Sequence, residues 1–213
     1  MMETKRNLVS SSLLTGVITL AVISGATASG QELMPKGFDK VVNQAETALA
    51  QISAAETQLK DALEACSALV DGKPEASLEK VKDSVKDSRK QIGELESAIK
   101  HMEDESTKYF TKWERSVLDL DGIDRTTAEE MRSEYWNLFH KVSDDAVDSE
   151  NELRPLLKDL DQLMGKLEHH TAESASANKT ELAEITGKAK AWFSDVDQRQ
   201  KDAKEVIQEL TGR

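Results

Sequence analysis

The chain has 213 residues, 38% hydrophobic and 32% charged, with a formal net charge of −12 at pH 7. That acidity argues against nucleic acid and against strong binding to anionic lipid, because both need Lys/Arg patches. One Cys leaves no intramolecular disulfide and no Cys-based metal site, while 3 Pro and 10 Gly suit an all-helical protein.

The N-terminus carries Lys5 and Arg6, then an apolar stretch over 13–23, then Ala26-Thr27-Ala28. This three-part pattern predicts a signal peptide over residues 1–28, cut after Ala28, and an exported protein that is periplasmic or secreted. The alternative is a retained anchor, since residues 8–28 are long enough to span a bilayer. Ser10, Ser11 and Ser12 weigh against it. No Cys follows the apolar stretch, so a lipid-bearing anchor is not expected there.

Residues 29–213 are expected to form a single domain of four helices, over about 37–70, 77–120, 127–170 and 180–211. The first has a seam at Phe38, Val42, Ala45, Leu49, Ile52, Glu56, Leu59, Leu63, Cys66 and Val70. Cys66 reads as a small buried hydrophobe, with an intermolecular disulfide as the alternative. Asp71-Gly72-Lys73-Pro74 stops this helix: Gly suits a left-handed cap and Pro cannot continue. Ser77 is placed to cap the second helix.

The second helix has the longest seam, at steps of three and four from Leu78 through Val85, Ile92, Ile99, Tyr109 and Trp113 to Leu120. Such a stripe is one face of a rod about 65 Å long and must be covered by partner helices. Asp121-Gly122 ends it, and Thr126 or Thr127 with Glu129 or Glu130 forms a capping box for the third helix. The third seam runs through Met131, Tyr135, Leu138, Val142, Ser149, Leu153, Leu156, Leu160, Leu163 and Leu167. A small polar stretch from Thr171 to Thr180 leads to the last helix. Its seam is Leu182, Ile185, Ala189, Trp192, Val196, Ala203, Ile207 and Leu210.

Short connections force antiparallel neighbours. The expected fold is therefore all-α, an elongated up-down-up-down four-helix bundle or coiled coil. The middle two helices outrun the outer two and should project as a two-helix hairpin. Phe38, Tyr109, Phe110, Trp113, Tyr135, Trp136 and Phe139 then collect where four helices thin to two. They either plug the core or form a recognition patch, for which Trp113, Trp136, Tyr135 and Phe139 are the candidates. Lower down, Pro155 interrupts the third helix level with Gly93, which would allow close approach, and with Glu56 on an apolar seam. Arg89 and Arg154 are the nearest cations for a register-setting polar layer with Glu56. A ligand site and a carboxylate reaching solvent are the alternatives.

No catalytic constellation and no cofactor motif is present, so neither an enzyme nor a cofactor is expected. His169 and His170, with Glu173, are the weak metal candidates. Adjacent helical residues point about 100° apart, and His at a helix end also suits the C-terminal dipole. His101 and His140 fall off the seams.

Phe110-Thr111-Lys112-Trp113-Glu114, Arg132 with Tyr135 and Leu138, Pro155-Leu156-Leu157, and Leu167-Glu168-His169-His170 stand in one order. In this the chain resembles the bacterial family called domain of unknown function 2959, over about Leu63 to Leu210. His170 stands where that family usually has Asn, and Gly165-Lys166 where it usually has apolar residues. The resemblance implies an exported helical protein and supplies no activity. The reading that follows is a non-enzymatic exported interaction or scaffold protein, an acidic spacer or adaptor. Its expected partners are envelope proteins, with a second copy of the chain among the candidates. The alternative is a small-ligand or metal-binding module using the His169 end or the Glu56 layer.

Overall fold

The computed structural model describes residues 33–73, 76–169 and 174–212, all within one compact unit, Leu33–Arg213. The expected signal peptide lies outside the described residues. Those described form four helices: α1 Phe38–Val70, α2 Leu78–Leu118, α3 Gly122–Leu167 and α4 Ala175–Thr211.

The helices end where local chemistry tells them to, with two exceptions. Gly72 takes the left-handed φ of 67° just past α1. Ser77 accepts the amide of Lys80 at 3.2 Å, satisfying one of the unpaired N–H groups that open α2. The expected start of α3 at 127 is corrected to Gly122. Thr126 and Thr127 are interior, their hydroxyls bonding the carbonyls of Gly122 and Ile123 at 3.5 and 2.9 Å. A Thr that can cap can equally bond back to the preceding turn, so the pattern did not discriminate. The start of α4 moves likewise, from 180 to Ala175.

The four seams meet in one core. Leu59, Val81, Leu95, Met102, Leu160, Leu163, Ala189 and Val196 are fully buried in it. Polar cross-links show the antiparallel order. Ser88 donates to the carbonyl of Gln58 at 2.9 Å (α2 to α1), and Arg89 to Asp161 at 2.9 Å (α2 to α3). Arg199 grips both oxygens of Glu152 at 2.9 and 2.7 Å (α4 to α3), and Ser53 donates to Gln200 at 3.0 Å (α1 to α4). Exposed ion pairs contribute only about 0–1 kcal/mol each, so these select register more than they add stability. Helices α1 and α3 approach closely across the diagonal, whereas among the described residues the backbones of α2 and α4 do not.

Pro155 inside α3 offers no N–H to the carbonyl of Asn151. Near the same level a Trp bonds to the backbone: the indole N–H of Trp192 donates to the carbonyl of Ser149 at 3.0 Å, fully buried. The expected close approach at Gly93 is not found. A Cβ built there meets nothing within 4 Å, because this residue faces outward.

Helix α1 begins at Phe38, whose ring touches Tyr109 and Tyr135 at 5.3 Å. The α3–α4 cross-links bring the end of α4 level with about Phe139. Beyond that level, among the described residues, only α2 and α3 continue. Val117 and Ala128 are still buried there, while Asp121–Thr127 are all exposed. Among the described residues no helix is long and apolar enough to cross a membrane.

Candidate functional site

The aromatic belt forms as a chain of ring contacts. Trp113 packs on Tyr109, Phe110 and Tyr135, with centroids 5.9, 6.0 and 5.7 Å apart. Phe110 meets Trp136 edge-on at 4.9 Å and Phe139 at 6.2 Å. The hydroxyl of Tyr109 donates to the carbonyl of Pro35 at 2.9 Å, tying the segment before α1 to α2. Burial raises the pKa of Tyr109 and of Tyr135, so both phenols stay protonated.

Burial divides the four recognition candidates. Trp113 is 0% exposed and Phe139 3%, which makes both of them core. Trp113 is sealed inside the belt, while Phe139 shows only a small part of its ring, in a cleft. Tyr135 and Trp136 are half-buried and do reach it. One step off its seam, Trp136 turns toward the outer groove between α2 and α3.

That groove deepens into a cleft of about 330 Å³ whose apolar wall is Trp136 and Phe139. Its rim carries the carboxylates of Glu103 and Asp104 from α2 and of Asp144 from α3. Ser143, only 6% exposed, also lines it. His140 closes one side, its ring 4.3 Å from that of Trp136 and its Nδ1 3.9 Å from Asp144. Among the described residues no Lys or Arg lines the cleft. Sequence reasoning missed this site because its parts lie between seams on two helices. The legible signal was Trp136 off its seam with His140 four residues on.

The polar layer expected at Glu56 does not form. Glu56 pairs with Lys60 one turn along α1, and the Lys60 ammonium also sits 4.8 Å over the ring of Phe193. Arg89 goes to Asp161, and Arg154 to Glu150 and Glu96. The reason is reach: Glu56 is buried at the edge of α1, and a flexible Lys on its own helix reaches it without crossing the core. Glu56→Leu is therefore expected to leave urea stability unchanged within about 1 kcal/mol or to raise it, since Lys60 stays solvated. A loss of several kcal/mol would mean the carboxylate anchors more than this pair.

His169 is exposed just past α3, and His170 and Glu173 lie outside the described residues. Among the described residues no three His, Cys, Asp or Glu are grouped as a metal would need. Cys66 is fully buried, and burial pushes its thiol up to about 11, so at neutral pH it is a packed thiol and a poor nucleophile.

Fold and site together define an antiparallel helical-bundle protein, closed by an aromatic plug and extended into a two-helix hairpin. The family model described as protein of unknown function (DUF2959) matches residues 33–210, and the chain belongs to that family. No curated protein and no solved structure matches it.

Proposed function

We propose that this protein is a non-enzymatic exported scaffold, an acidic spacer or adaptor that meets an envelope partner through the tip of the α2–α3 hairpin. The observation that carries this reading is the exposure of Leu118 (62%) and Ile123 (82%) on either side of that turn. Two large apolar side chains in water at one extremity are what an interaction end presents, while scattered single ones are ordinary. The length of α2 and α3, 41 and 46 residues, sets the tip apart from the four-helix core.

Site-specific photo-crosslinking tests it. With the photoreactive residue at 123, a discrete adduct is expected in cells, and it should vanish when Leu118 is also changed to Asp. The same residue at Lys90, exposed in mid-bundle, should give no such band. Equal labelling from both positions, or none from the tip, would overturn the tip assignment. A second reading, a small-ligand-binding module, is supported by the cleft beside Trp136.

A further inference from the structure

We propose that Gln200 on α4 is a proton-coupled amide switch, its side chain turning over as Asp145 on α3 gains or loses a proton. This inference is independent of the hairpin tip and of the cleft at Trp136. Gln200 is only 9% exposed. Its Oε1 accepts from the Ser53 hydroxyl of α1 at 3.0 Å, while its Nε2 is buried with no hydrogen-bond partner among the described residues. A buried N–H without an acceptor is costly, so this end of the amide calls for one.

The cavity that the amide borders shows where the acceptor lies. Its walls include Leu49 and Ile52 of α1, Asp145 and Ser149 of α3, and Arg199 beside Gln200. It is too narrow to admit a water molecule, so a side chain must supply the acceptor. Arg199 only donates, and it grips Glu152. The Ser149 hydroxyl is already engaged, donating to the Asp145 carbonyl at 2.7 Å and facing Arg199 at 3.5 Å. The Asp145 carboxylate remains, and it forms no ion pair among the described residues.

With Asp145 ionised, a turn of its carboxylate into the cavity lets Nε2 of Gln200 donate to it, while Ser53 still donates to Oε1. With Asp145 protonated, its O–H becomes a donor and needs an acceptor instead. The amide then turns over: Asp145 donates to Oε1, and Nε2 donates to the Ser53 hydroxyl. Ser53 is free to accept because its own proton has a second acceptor, the Leu49 carbonyl at 3.3 Å. The two ends of an amide have nearly the same shape, so neither state needs repacking. Each state satisfies both ends, but the N–H goes to α3 in one and to α1 in the other.

The surroundings of Asp145 set the pH of the turn. Burial is the largest influence and raises its pKa; Lys141 and Arg199 lower it, and Asp202 and Asp148 raise it again. Helix α1 brings only Leu49 and Ile52 to the cavity wall. The turn is therefore expected above the pH at which an exposed Asp titrates.

A pH titration of the full chain followed by NMR tests the switch. Above the Asp145 midpoint the Gln200 side-chain amide protons should contact Asp145, and below it Ser53. Their chemical shifts should follow the Asp145 carboxyl carbon with the same midpoint. Asp145→Asn keeps the shape and cannot titrate, so the pH response of Gln200 should vanish in it. Gln200→Leu should move the Asp145 midpoint up by about half a unit, because the charge-assisted bond it removes is the stronger of the two. A Gln200 amide indifferent to the Asp145 titration would overturn the proposal. So would a response that survives Asp145→Asn, or an Asp145 midpoint unmoved in Gln200→Leu.

Discussion

Trp113→Ala is expected to remove about 3–5 kcal/mol of unfolding free energy, the range for truncating a buried Trp. Its side chain is 0% exposed and contacts the rings of Tyr109, Phe110 and Tyr135, so the cavity would open in the belt where α1 begins. Trp136→Ala should cost less, about 1–2 kcal/mol, because that ring is half-buried and loses its contacts with Phe110 and the exposed His140. Urea denaturation of the two variants side by side makes the comparison. Equal losses would mean that Trp136 is as much a part of the plug as Trp113, and the cleft would then have no free aromatic wall.

Two buried indoles should respond differently to loss of their N–H groups. The N–H of Trp192 donates to the Ser149 carbonyl at 3.0 Å, whereas that of Trp113 is buried with no partner among the described residues. Changing either to Phe removes a similar ring volume, so the packing losses should be comparable. The polar consequences differ in sign. Trp192→Phe breaks a buried bond to a carbonyl that lies within α3. Trp113→Phe removes a donor that meets no acceptor among the described residues. The expected gap is about 1–3 kcal/mol, with Trp192→Phe the more damaging. Matching denaturation midpoints, at matching slopes, would show that the Ser149 bond adds nothing net.

The burial of these rings followed in part from the primary structure. On α2 the residues Val81, Val85, Ile92, Leu95, Ile99, Met102 and Tyr109 were legible as one face, and all are buried. Periodicity works there because each helix must hide one stripe, and the stripe is written on that helix alone. Ser77 and Gly72 were legible for the same reason, since caps use only neighbouring residues. Thr126 and Thr127 failed as caps because their hydroxyls satisfy a local carbonyl equally well inside α3.

Pairing between helices was much less legible. Arg154 could be placed near Glu56 by level, but level does not say which way around α3 the guanidinium points. It turned to Glu150 on its own helix and to Glu96 on α2. Ser143 and Asp144 follow directly after the seam residue Val142 and carry no signal by themselves. They matter only because α2 brings Glu103 and Asp104 against the same groove.

Composition and periodicity alone thus determined four long helices, their buried faces and an aromatic belt at one end, because burial of a helical stripe is a local and repeated requirement. The tertiary structure decided which Trp is sealed and which lines a cleft, and which carboxylate meets which cation. Those outcomes depend on the rotation of each helix about its own axis against its neighbours. A rotation of one residue, about 100°, moves a side chain from core to groove without changing the seam's period.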